Sequence, residues 1–125
     1  MSLLKKIFSA LGIIKEKEED ARAMLEQELN ILKSFQVQSL SGVNISPDMI
    51  SQHIGKIKEL ILICHKNGII HKDANTVNYT LLKIGEEERN ISNCSSITSA
   101  SFGINDGLVA NSIGEILMLV ISLLN

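Results

Sequence analysis

The residues best equipped for chemistry in this chain are three histidines, His53, His65 and His71, and two cysteines, Cys64 and Cys94. Imidazole and thiolate are common zinc ligands and common partners in nucleophilic catalysis. Their spacing argues against both roles. His53 and Cys64 fall on nearly the same side of a helix, but at ~1.5 Å per residue they stand roughly 16 Å apart, too far to share an ion. Cys64 with His71 across a turn at Gly68, completed by Cys94, is a conceivable set, yet no Cys-x-x-Cys or His-x-x-x-His spacing supports it. A core cysteine and exposed histidines are expected instead. A catalytic Cys64 or Cys94 beside a histidine would require a thiol of unusual reactivity.

Other catalytic patterns are missing from the sequence: there is no glycine-rich phosphate loop, no Gly-x-Ser-x-Gly and no His-Glu-x-x-His. The carboxylates Glu18 and Glu19, and the run Glu86, Glu87, Glu88, sit in polar surroundings that do not raise a pKa for acid/base work, so solvated faces are expected. The sequence therefore predicts no enzyme, no cofactor, no metal and no small-molecule substrate. Twelve Lys and Arg against 14 Asp and Glu give a net charge of -2, without the basic excess of a polyanion binder. Residues 50–84 could form a helix-turn-helix, but Lys66, Lys72 and Lys83 are balanced by neighbouring acids, and no nucleic-acid partner is expected.

The elements that must position these side chains read as helices. The chain has 125 residues, 45% apolar and only 3% aromatic, a size that suits one compact helical domain spanning 1–125. Leu3, Leu4, Ile7, Phe8, Leu11 and Ile14 recur at three and four spacing, with Lys5 and Lys6 opposite, so residues 1–14 form an amphipathic helix that could be separable. After the charge run of residues 15–20 (KEKEED), Leu25, Leu29, Leu32 and Phe35 share a flank, with Met24 and Ile31 alongside. The two segments can be one bent helix with Gly12 as its weak point.

Ser46, Pro47 and Asp48 mark the next helix start, as N-cap, first-turn proline and first-turn acid. Ile50, Ile54, Ile57, Ile61 and Cys64 then repeat at 4-3-4-3 spacing, the seam of a helix packed lengthwise on another. Gly68 is the expected terminator. Asp73 or Asn75 can cap a third helix in which Ala74, Val77, Leu81 and Ile84 share a side, although residues 76–84 are rich enough in β-branched types to allow a strand. The run Glu86 to Arg89 is expected to be solvated, and residues 92–101 (SNCSSITSAS) read as a loop. Residues 108–124 are apolar on every face from Ile116 onward, which places them at the centre of a fold or in lipid. Asn111, Ser112, Gly114 and Glu115 interrupt that stretch, and a carboxylate near mid-span is costly in a bilayer.

Residues 102–111, Phe-Gly-Ile-Asn-Asp-Gly-Leu-Val-Ala-Asn, resemble the opening of the first membrane helix of the vacuolar iron transporter family. The similarity covers ten of the 125 residues. That family's further helices would need more chain than follows, so neither a transport function nor a metal ligand is carried over.

The expected architecture is an all-α antiparallel bundle of four to five helices with the apolar C-terminal helix at its centre. Two cysteines are too few for a disulfide framework, and no cleavage site follows the short apolar start, so a cytoplasmic, reducing location is expected. Apolar helix surface exceeds what one small domain can cover, which predicts self-association or a protein partner. The expected role is a non-catalytic interaction module of inhibitor, immunity, chaperone or adaptor type. Its interface is expected at Leu4, Ile7, Phe8, Leu11 and Ile14. The alternative is a peripheral membrane protein anchored by the same amphipathic helix.

Overall fold

The computed structural model describes residues 3–43, 45–96 and 104–125, with side chains described for 20–43, 45–93 and 107–125. Among these residues the fold is all-helical, with four helices and no strand: α1 (Leu3–Leu40), α2 (Pro47–Lys66), α3 (Ala74–Ser96) and α4 (Ile104–Leu124). The two amphipathic segments at the start are one continuous helix of 38 residues. Gly12 does not end it.

Backbone chemistry sets the helix ends. α1 stops where Gly42 turns to φ 84°; its N–H donates to the Ser39 carbonyl at 3.1 Å and the Val43 N–H donates to Gln38 at 2.9 Å. α2 stops in the same way at Gly68, with φ 79°, where the Gly68 and Ile69 N–H groups donate to the carbonyls of His65 at 3.2 Å and Cys64 at 2.8 Å. This paired 5→2 and 6→1 pattern needs a left-handed residue, which glycine adopts without a Cβ clash. Gly68 is thus the predicted terminator. Ser46 precedes Pro47 as expected, but its side chain makes no capping bond; Pro47 and Asp48 mark the first turn alone. At α3 the cap is Asp73, whose Oδ1 accepts the Thr76 N–H at 2.8 Å, rather than Asn75.

α1 packs on α2 and α4, and α3 packs on the same two helices, so the four close into a ring with the core along its axis. Every residue of the predicted α2 seam is buried, Ile50, Ile54, Ile57, Ile61 and Cys64, as are Leu25, Leu29, Leu32 and Phe35 of α1. α3 contributes Val77, Ile84 and Ile91, and α4 contributes Ile113, Ile116 and Val120.

The stretch 76–84 is helical, as the first of its two readings had it, because Val77 and Ile84 lie seven residues apart on the buried side and outweigh the β-branched preference. Two expectations are corrected here. Residues 92–96, expected as loop, continue α3 to Ser96, carried past their weak helix propensity by buried Ile91; residues 97–101 of that run lie outside the described residues. The C-terminal helix occupies a corner of the ring and not its centre. Its outer positions Leu108, Met118 and Ile121 are exposed, since a corner helix is covered only on the side facing its neighbours. By length and composition alone, residues Gly107–Leu124 could also cross a membrane.

Candidate interaction surface

The lengths of the four helices differ in a way that creates a surface. At ~1.5 Å per residue, the 38 residues of α1 extend about 57 Å, while the 20 of α2 and 21 of α4 extend about 30 and 32 Å. Contacts along α1 locate where its neighbours stop. Gln36 Nε2 donates to the Ala110 carbonyl at 3.2 Å near the start of α4, and Glu26 and Leu29 share a groove with Leu117 and Ile121 near its end. α4 finishes one turn later, at Leu124. On the other flank Phe35 and Glu28 meet His53, and Cys64, near the end of α2, feels the charge of Arg22. Both neighbours of α1 therefore run out level with Ala21 and Arg22, and the helix continues toward Leu3 for roughly 27 Å more.

That continuation carries the predicted interface positions Leu4, Ile7, Phe8, Leu11 and Ile14. Their backbone is helical; their side chains lie outside the described residues. Ile7, Leu11 and Ile14 precede the buried Leu25, Leu29 and Leu32 by eighteen residues each, about five turns, so they occupy the same side of the helix. The apolar register that builds the core continues past the end of the ring, broken by the charge run of residues 15–20.

The groove between α1 and α4 is an opening of about 300 Å³ lined by Glu26, Leu29, Asn30, Lys33, Leu117 and Ile121. Its floor is apolar and its α1 edge is charged. Glu26 is held by Arg22 at 3.3 Å, one turn earlier, an exposed pair of the kind that contributes little to stability. At the far end the helices approach closely: a Cβ on Gly114 would come within 2.8 Å of Gln36 Nε2. Ile121 is 48% exposed and Met118, one turn back, is 68% exposed.

The side chains first considered for chemistry do not converge. Among the described residues, no group of three or more His, Cys, Asp or Glu could hold an ion. Burial pushes the Cys64 thiol above its ordinary range, an effect only partly offset by the positive charge of Arg22, so the thiolate needed for attack is disfavoured. His65 Nε2 lies 3.1 Å from the Lys72 carbonyl, and His71 is exposed. The Cys94 side chain lies outside the described residues.

Sequence reasoning missed two partly buried polar links. His53 Nδ1 and Glu28 Oε2 are 2.6 Å apart between α1 and α2, with the edge of the Phe35 ring against the imidazole. Glu88, expected to be solvated, is instead partly buried between α2 and α3, accepting bonds from Ser51 Oγ and Lys58 Nζ, both at 2.8 Å. The signal for Glu88 was its place in the register, four residues beyond Ile84 on the side that faces α2. Comparison with protein-family models, with curated proteins and with solved structures returned no match.

Proposed function

We propose that the chain is a non-catalytic protein-interaction module, of inhibitor, immunity, chaperone or adaptor type, acting through the apolar side of α1 at Leu4, Ile7, Phe8, Leu11 and Ile14. The observation that carries the reading is the mismatch in length: α1 outruns its neighbours by about five turns while its apolar register continues. Apolar helix surface of this kind is stabilised when a protein covers it, in the mode where an amphipathic helix lays its i, i+3, i+4, i+7 anchors into a groove. The ring beneath it is an up-and-down arrangement with neighbouring helices antiparallel, which the short connections at Gly42 and Gly68 favour. A reducing compartment such as the cytoplasm suits the free buried thiol of Cys64.

The test compares the intact chain with an Ile7→Glu, Leu11→Glu double variant. Far-UV circular dichroism and the melting temperature should be nearly equal, because both positions precede Ala21, where the buried residues of the described core begin. The intact chain should form a stoichiometric protein complex, with a companion or with itself, and the variant should lose it. A complex kept by the variant would remove these positions from the interface. Flotation of the intact chain with anionic vesicles, lost in the variant, would transfer the same surface to the membrane-anchor reading.

A further inference from the structure

We infer that Asn67 is a self-modification site, closed while the glycine turn after α2 is intact and opened when that turn is lost. Of the ten asparagines in the chain, Asn67 alone is followed by glycine. A backbone nitrogen can attack the carboxamide of the asparagine before it, and glycine leaves that approach clear because it carries no Cβ. The Gly68 nitrogen forms a bond to Asn67 Cγ, the Cγ–Nδ2 bond breaks, and Nδ2 leaves as ammonia with the proton given up by the Gly68 amide. The product is a cyclic imide, which water then opens. Addition of water at Cγ leaves Asp; addition at the main-chain carbonyl carbon leaves isoaspartate, in which the chain runs through the former side chain.

The turn holds the reacting atoms apart. Asn67 caps α2 with φ -87° and ψ 2°. At a ψ near zero the residue's own nitrogen eclipses the Gly68 nitrogen, so Cβ lies roughly 120° away around the Cα–C bond. A planar imide requires Cβ itself to eclipse that nitrogen. Rotating Asn67 into that position would pull the Gly68 N–H from the His65 carbonyl, 3.2 Å away, and the Ile69 and Ile70 N–H groups from the Cys64 carbonyl, at 2.8 and 3.2 Å. Ile70 is 2% exposed and anchors the connection in the core. Attack therefore waits for local opening of the turn.

The two products differ in what they do to the turn. Asp keeps the chain path and adds a carboxylate at the carbonyl end of α2, where the helix dipole disfavours it. Isoaspartate places an extra carbon in the main chain before Gly68, so the Gly68 and Ile69 N–H groups no longer line up with the last carbonyls of α2. A transient opening thereby becomes a covalent change that refolding does not reverse.

The test incubates the full chain at neutral pH, folded and in urea, and follows Asn67 by peptide mass spectrometry that separates Asp from isoaspartate. In urea Asn67 should convert before any other asparagine, and Asn67→Gln should stop conversion at this position. The folded chain should convert at least about tenfold more slowly, the protection given by a closed local structure. Ile70→Ala removes the anchor but keeps Asn67 and Gly68, and should move the folded rate toward the urea rate, with circular dichroism checking that the helices persist. Independently of that variant, the open fraction read from hydrogen exchange at the Ile69 amide, multiplied by the urea rate, should reproduce the folded rate. The purified isoaspartate form should melt below the Asn67→Asp variant. No conversion at Asn67 in urea would overturn the site. Equal rates folded and in urea, or a folded rate far above that product, would overturn the gating by the turn. Equal melting of the isoaspartate form and Asn67→Asp would overturn its one-way effect on the fold.

Discussion

Two halves of one helix carry the same apolar spacing and meet different surroundings. From Ala21 to Ser39 the inward residues of α1 are buried against α2 and α4; before Ala21 the helix continues toward Leu3 with side chains outside the described residues. The comparison teaches that amphipathic periodicity specifies a surface to be covered without specifying what covers it. Where the neighbours reach, the stripe is core. Where they stop, the proposed interface begins.

The largest effect should come from truncating each half. Leu32→Ala empties a fully buried position and should cost about 2 to 5 kcal/mol in urea unfolding. Leu11→Ala, measured at high dilution, should cost less than about 0.5 kcal/mol. An equal loss at both would mean the two halves share one core. An intermediate effect belongs to the polar link inside the packed half. Glu28→Ala removes the acceptor facing His53 in a partly buried setting and should cost about 1 to 3 kcal/mol, much of it recovered when His53→Leu is added. Glu18→Ala in the projecting half should be close to neutral by the same assay.

The smallest effect lies at the cap of α3. Hydrogen bonds from Thr76, through its side chain and then its backbone N–H, hold the Asp73 carboxyl below its usual pKa. A lowered folded pKa adds stability that is complete above the ordinary carboxylate range and is lost as pH falls through the folded value. Asp73→Ala should therefore melt slightly below the unaltered protein at neutral pH. The gap should narrow as the pH drops below about 3.9. Asp73→Asn, which keeps the acceptor, should fall between them.

Much of this architecture was readable from residue order. The Ser46-Pro47-Asp48 start, the isoleucine seam of α2, the Gly68 stop and the packed flank of α1 each combine a local signal with a period, and all are present. The tail of α3 was not, because Ser92, Asn93 and Ser95 offer the backbone local hydrogen bonds that compete with a helix, and only the packing of Ile91 decides between them. The corner position of α4 was hidden for a related reason. A helix apolar all round signals burial, but four helices in a ring leave each one an outer side. The stripe at Leu4 to Ile14 was visible as spacing. The groove was not, since it joins Leu29 to Leu117, far apart in the chain, and no local pattern encodes that meeting.

The two glycine turns have a consequence for how the molecule assembles in time. Gly42 and Gly68 let α1, α2 and α3 find one another through connections of a few residues, so those pairings demand little loop-closure entropy. The seal between α1 and α4 joins residues 74 apart at Gln36 and Ala110, and it must wait for α4 to leave the ribosome. Until then the side of α1 that α4 covers is open, and the nascent three-helix intermediate, rather than the finished ring, is the species most exposed to aggregation and to capture by other chains.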